Sequence, residues 1–189
     1  MKILDNISFT SLAPRIGARY NIEEDALLLG MLGQEYLIRR DGVFLRGQKA
    51  PDAHAAVVMD YLSARESETV IMPWRSIGDF SSKASSTFRK KVELPMTQYV
   101  TEIIARANTL LPMVDASTVP SIIGSDIALT VRALPRVYLH VELSQETQDF
   151  PAEAWILFSN NADEFLSLPS LHSLAELFKD RVVSLLRIY

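Results

Sequence analysis

The sequence predicts an α+β fold, a mostly antiparallel sheet covered by helices in a single compact domain. Three observations predict it. Residues 126–132 and 137–143 alternate apolar and polar side chains with the two-residue period of strands that bury one face. Residues 154–158 form a short run that is apolar throughout. After Pro169, Leu171, Leu174, Phe178, Val182, Leu185 and Ile188 recur at three- and four-residue steps, the stripe of an amphipathic helix. Strands joined by short turns and followed by a helix make an α+β layer arrangement. One domain over residues 1–189 fits this length, with an N-terminal lobe (1–112) and a C-terminal lobe (124–189) as the other division.

In chain order, residues 1–22 read as a lead-in. Residues 12–17 close a short helix, with Gly17 as its stop. Residues 26–31 and 35–39 flank Leu32-Gly33-Gln34, and Asp41-Gly42 turns the chain into residues 43–46, a three-stranded meander. Pro51 opens a helix that reaches Arg65 and buries Ala53, Ala56, Val57, Tyr61 and Leu62. Residues 69–72 make a short strand at best, and the serine-rich stretch 76–86 reads as loop. Residues 95–111 carry the cleanest helical period, with Val100, Ile103, Ile104, Ala107 and Leu111 on one face and Pro112 as the stop. Residues 113–125, containing Pro120 and Gly124, read as a linker or mobile loop.

Charge sets the register of the C-terminal hairpin. Residues opposed in an antiparallel pair share a face, so even numbers oppose even numbers and the connection holds an odd count. A loop over 133–135 sets Asp126 against Glu142 and Arg132 against Arg136, two like-charge pairs that weaken the ladder. A loop over 133–137 instead opposes Arg132 to Tyr138 and Thr130 to His140, and is preferred. A corner follows at Asp149-Phe150-Pro151. Residues 154–158, apolar on both faces, predict a central or doubly covered strand. Asn160 or Asn161 is expected to cap a turn over 162–166. The final helix packs on the sheet, with Lys179, Arg181 and Arg187 towards its negative end.

Composition excludes several classes of function. Hydrophobic residues at 48% and charged residues at 22% are ordinary for a globular domain. A net charge of −4 argues against nucleic acid or an anionic membrane as the partner. With no cysteine, the chain has no disulfide, thiolate zinc site, cysteine-held cluster or cysteine nucleophile. Residues 1–6 lack the apolar run of a signal peptide and no stretch is long enough to span a bilayer, so the cytoplasm is the expected location. The glycines never cluster as a phosphate loop, and no serine stands in a nucleophile elbow.

Three constellations remain. Arg132, Tyr138, His140 and Glu142 share the polar face of the hairpin, where a histidine beside a carboxylate can move a proton or orient a ligand. The ordinary reading of that face is solvated sheet, and it is the one expected here. Asp149 and Glu153 offer two carboxylates, though Asp before a turn and proline is common corner chemistry. Lys83, Arg89, Lys90 and Lys91 form a basic patch that reads as a solvated face. The histidines His54, His140 and His172 lie far apart, so no metal and no cofactor is expected.

A family resemblance emerges from Gly124-Ser125-Asp126, Ala133-Leu134-Pro135-Arg136-Val137, Asp149-Phe150-Pro151-Ala152, Ile156-Leu157-Phe158 and Leu166-Ser167-Leu168-Pro169. With Gly17-Ala18-Arg19-Tyr20-Asn21, Leu32-Gly33-Gln34-Glu35-Tyr36 and Met59-Asp60-Tyr61-Leu62, it resembles the uncharacterised prokaryotic family DUF3786 over nearly the whole chain. Some relatives carry cysteine clusters suited to iron–sulfur centres, and the resemblance implies a link to corrinoid or anaerobic metabolism. A cysteine-free chain cannot inherit the cluster. The expectation is a binding or interaction module, non-catalytic, an accessory to cofactor or redox metabolism. Its partner is a small molecule or protein, and a homodimer stays open. The alternative is an enzyme whose carboxylate–histidine site has no recognisable signature.

Overall fold

Two antiparallel meanders share one hydrophobic core in the computed structural model, which describes Leu4 and residues 7–188. Most of the segment read for a signal peptide, and Tyr189 at the chain end, lie outside the described residues. Helix α1 (Phe9–Ile16) stops at Gly17, whose φ of 70° is the left-handed turn a helix end favours. The first sheet is β1 (Arg19–Asn21), β2 (Ala26–Met31), β3 (Gln34–Arg39), β4 (Gly42–Leu45) and β5 (Gln48–Lys49), in that order. The expected meander is its centre; β1 and β5 are too short to show a period. Between β2 and β3, Leu32 and Gly33 both take positive φ, 52° and 71°, the twist a two-residue hairpin prefers. Helix α2 (Asp52–Leu62) buries Val57, Val58, Tyr61 and Leu62, while Ala53 and Ala56 face solvent.

Residues 69–114 depart most from expectation. Residues 69–72 form no strand; Arg75 instead bridges Phe158 through two backbone hydrogen bonds of 2.9 and 2.7 Å. The serine-rich stretch is helical. Helix α3 (Ile77–Phe80) is closed by the Asp79 carboxylate, which accepts from the Ser76 N–H at 2.7 Å and its hydroxyl at 2.8 Å. Helix α4 (Ser85–Phe88) continues through a π-helical turn, Arg89–Glu93, into α5 (Leu94–Thr97). Pro95 explains the wide turn. It lacks the N–H that would bond the Lys91 carbonyl, and its ring crowds that oxygen. Lys179 donates to the freed carbonyl at 3.1 Å. The helix expected over 95–111 is divided among α5, α6 (Val100–Ala105) and α7 (Ala107–Leu110), because Tyr99 and Arg106 leave helical backbone. Pro112 lies within a 3₁₀ turn, Leu111–Val114, rather than ending the path.

The second sheet runs β6 (Ala116–Val119), β7 (Ile127–Leu134), β8 (Val137–Ser144) and β9 (Glu153–Phe158), with neighbours in that order. Strand β6 occupies the stretch read as a linker. Thr130 opposes His140 and Arg132 opposes Tyr138, as the charge argument required. The connection is tighter than expected: a bulge at Ala133 lets Leu134 oppose Val137, leaving Pro135-Arg136 as the turn. The Ala133 carbonyl accepts from Leu32 N–H at 3.0 Å, hooking the first sheet's hairpin onto the second sheet.

Strand β9 is neither the central nor the doubly covered strand expected: it is an edge, and Trp155 is 38% exposed. Its rim is nonetheless covered, by Arg75 and by the Glu93 carboxylate, which accepts from Ile156 N–H at 3.1 Å. Asn161 does not cap the turn Ala162–Glu164. Its side chain accepts from Val70 N–H at 2.9 Å and donates to the Glu68 carbonyl at 2.7 Å, pinning a distant segment. Helix α8 (Leu168–Ile188) buries Leu171, Leu174, Phe178, Val182 and Leu185, whereas Ile188 is exposed. Its backbone runs close to α2, α3, α6, α7 and the π turn, and its buried stripe joins the core that both sheets share.

Candidate functional site

Strand alternation places Thr130, His140 and Leu157 in one cross-strand row of the second sheet, and Ala128, Glu142 and Trp155 in another. This is the face expected to be solvated. The structure corrects that expectation: His140 and Glu142 are each only 1% exposed. Two segments remote in sequence close over them. Trp74 stacks on the His140 ring, with centroids 5.0 Å apart and planes inclined by 22°. The loop after β6 folds down onto Glu142.

Glu142 organises that loop. One carboxylate oxygen accepts from His140 Nε2 at 2.8 Å and from Ile122 N–H at 2.7 Å. The other accepts from the hydroxyl of Ser121 at 2.7 Å and from the hydroxyl of Ser125. Ser121 Oγ in turn accepts the N–H groups of Ile123, Gly124 and Ser125 at 3.2, 2.8 and 2.8 Å. Burial alone raises a carboxyl pKa. Here the hydrogen bonds from Ser125, Ile122, Ser121 and His140 outweigh it and bring Glu142 down to about 2.

An ionised Glu142 fixes the histidine tautomer, since the carboxylate only accepts and His140 Nε2 must donate. In the neutral ring Nδ1 is then a bare acceptor, and it is buried with no hydrogen-bond partner among the described residues. The Trp74 ring covers the imidazole and bonds neither nitrogen.

The four candidates from the sequence therefore divide. His140 and Glu142 form one buried pair. Arg132 points outward into a 2.8 Å ion pair with Asp115. Tyr138, half-buried, places its backbone N–H against Ser159 Oγ at 3.2 Å. The other constellations disperse as well. Asp149 closes a turn with Thr147, whereas Glu153 accepts from the Trp155 indole at 3.0 Å and faces Arg89 at 3.6 Å. Arg89 also lies over the Trp155 ring, 4.6 Å from its centre, while Lys83, Lys90 and Lys91 are exposed. His54 Nδ1 meets the Tyr36 hydroxyl at 2.6 Å, and His172 stands edge-on to Phe88. Among the described residues, no three His, Cys, Asp or Glu side chains stand close enough to hold a metal ion.

Sequence reasoning missed Trp74, Ser121, Ser125 and the surface role of Trp155. One signal was available. Trp74 and Trp155 are the only tryptophans in the chain, and the structure gathers both beside the buried pair. The exposed Ile122 and Ile123, 53% and 59% accessible, lie on the loop that Glu142 holds down.

An open cleft of about 740 Å³ lies elsewhere, between the end of α2 and residues 163–167. Three of its carboxylates are engaged: Asp60 accepts from Ser167 N–H and Oγ, both at 2.8 Å, Glu164 from the Ser67 hydroxyl, and Asp163 faces Arg75 at 3.4 Å. No helix among the described residues is long and apolar enough to cross a membrane. Neither the curated proteins nor the solved structures contain a match to the chain. The family described as Domain of unknown function (DUF3786) matches residues 8–181, and the chain belongs to it.

Proposed function

We propose that this chain is a non-catalytic binding module that engages its ligand on the outer face of the second sheet. The observation that carries this reading is the gathering of both tryptophans and two exposed isoleucines around a buried, fully bonded ion. Tryptophan is the side chain most enriched where binding energy concentrates. A carboxylate that spends its lone-pair sites on four donors supports a rigid platform and is poorly placed to take a proton. The same feature weighs against the enzyme reading, because the histidine–carboxylate pair is sealed from any substrate. A planar ring that stacks on an indole is the ligand chemistry the face suits best. We place the module in the cytoplasm, a reducing setting that suits a cysteine-free chain.

The test compares the wild-type chain with a Trp155→Ala, Ile123→Asp double variant against a panel of ring-bearing metabolites and nucleotide cofactors. The expected result is a compound that raises the wild-type melting temperature and quenches tryptophan fluorescence. The variant, measured against its own ligand-free melt, should lose both responses. A ligand whose effects survive in the variant would count against the face. Turnover of that ligand, abolished by Glu142→Gln, would replace the binding reading with the catalytic one.

A further inference from the structure

The two edges of the second sheet are treated differently. The β9 edge is closed: Arg75 pairs with Phe158, Glu93 takes the Ile156 N–H, and the Asn160 N–H donates to the Ile71 carbonyl at 3.1 Å. Among the described residues the β6 edge has no such cover. Strand parity shows which of its backbone groups are free. Arg132 N–H donates to the Asp115 carbonyl at 2.9 Å, so Asp115 and Arg132 form a hydrogen-bonded pair. Two residues on, Ser117 with Thr130, and then Val119 with Ala128, repeat that pairing toward β7. The N–H and C=O groups of Ala116 and Thr118 therefore point away from the sheet. Neither residue makes a backbone bond outside the ladder or a side-chain hydrogen bond among the described residues.

Edges left open in this way are ordinarily protected by a lysine, a proline within the strand, a bulge or a covering segment. Residues 116–119 contain none of these, and Ser117 and Thr118 are exposed. Pro120 comes only after the strand has ended.

We infer that this edge pairs with the β6 strand of a second copy of the chain, antiparallel about a twofold axis through Ser117. Only residues with outward backbone groups can bond across the axis, so Ala116 meets the partner's Thr118 and Thr118 meets the partner's Ala116. Each copy contributes two donors and two acceptors, and the ladder is self-complementary, as an isologous contact requires. Charge favours a second copy here over elsewhere on the surface. Near a twofold axis each side chain meets its own copy, so a charged strand would repel itself. Strand β6 is uncharged, and Asp115 at its start is neutralised by Arg132 at 2.8 Å. A charged peptide partner would find nothing on this strand to pair with its charges. The product is a continuous sheet of twice four strands, with β9 closing each outer end. This inference does not depend on the binding face above, which uses other residues.

Sedimentation of the full chain over a wide concentration range tests the pairing. The wild-type chain should be a reversible dimer. Thr118→Pro removes an outward donor that no bond within the chain uses. It should weaken association by about ten-fold or more, while the melt of the monomer keeps its midpoint. Amide exchange gives a readout without mutation: Ala116 and Thr118 N–H groups should become protected as wild-type concentration rises. A chain that stays monomeric at every concentration overturns the inference. So does a dimer in which those two amides exchange freely, or one that Thr118→Pro leaves at full strength.

Discussion

Glu142 carries the sharpest consequences at the scale of one residue. Its side chain belongs to a strand whose sequence reads as half wet, yet it is sealed and ionised. Its pKa lies below that of an unfolded chain, so ionisation and folding favour each other. The stabilisation is fully present above the unfolded value of about 4.3 and is lost as pH falls through the folded value, about 2. Its full size is on the order of 3 kcal/mol. Urea unfolding from pH 5 to 2 should show stability falling across that window. Glu142→Gln should remove this group's share of the slope. At neutral pH it should also cost roughly 2–4 kcal/mol, because an amide presents a donor where four donors already converge. A variant that is as stable as wild type and keeps the full acid slope would show that the carboxylate does not anchor the loop. His140→Phe is a softer change. It removes the orphan Nδ1 and keeps a ring for Trp74 to stack on, but it leaves Glu142 one donor short.

Elements show how far the sequence could be read. The hairpin register was legible because opposed charges discriminate between two parities, and Arg132 does oppose Tyr138. The stripe of α8 was legible because Leu171 to Leu185 repeat over several turns with no break. The cover over His140 was not legible. Trp74 and His140 are separated by most of the helical layer in sequence, and Ser121 gives no sign of a partner beyond its own loop. The same limit applies to β9, whose apolar outer residue is partly masked by the Arg89 guanidinium and not by another strand. The helical break at Pro95 was visible as a residue but not as a π turn, since the compensating donor is Lys179 on α8. Leu174, fully buried in that helix, gives the element-scale prediction. Leu174→Ala should cost roughly 2–5 kcal/mol in chemical denaturation with an unchanged denaturant slope. A loss below about 1 kcal/mol would mean the helical layer relaxes into the space and is not tightly packed there.

At the scale of the whole molecule, the two sheets meet where the hairpin of the first docks against the bulge of the second. Leu32 N–H reaches the Ala133 carbonyl, and Gly33 lies so close to the next segment that an added Cβ would sit 2.3 Å from the Met113 carbonyl oxygen. With φ at 71°, Gly33 also holds a backbone that other residues reach only with strain. Turn chemistry in the sequence predicted the hairpin, but only the fold shows that its tip is a joint. A core continuous through both sheets implies that they unfold together. Tryptophan fluorescence reports the second sheet, where both indoles lie, and far-ultraviolet circular dichroism reports the entire backbone. Their thermal transitions should coincide in the wild-type chain. Gly33→Ala should move both to lower temperature by the same amount, for a cost of roughly 1–3 kcal/mol. If the fluorescence transition stays in place while the dichroism signal splits, the halves unfold separately, and the division into lobes at 1–112 and 124–189 describes the molecule better than one cooperative unit.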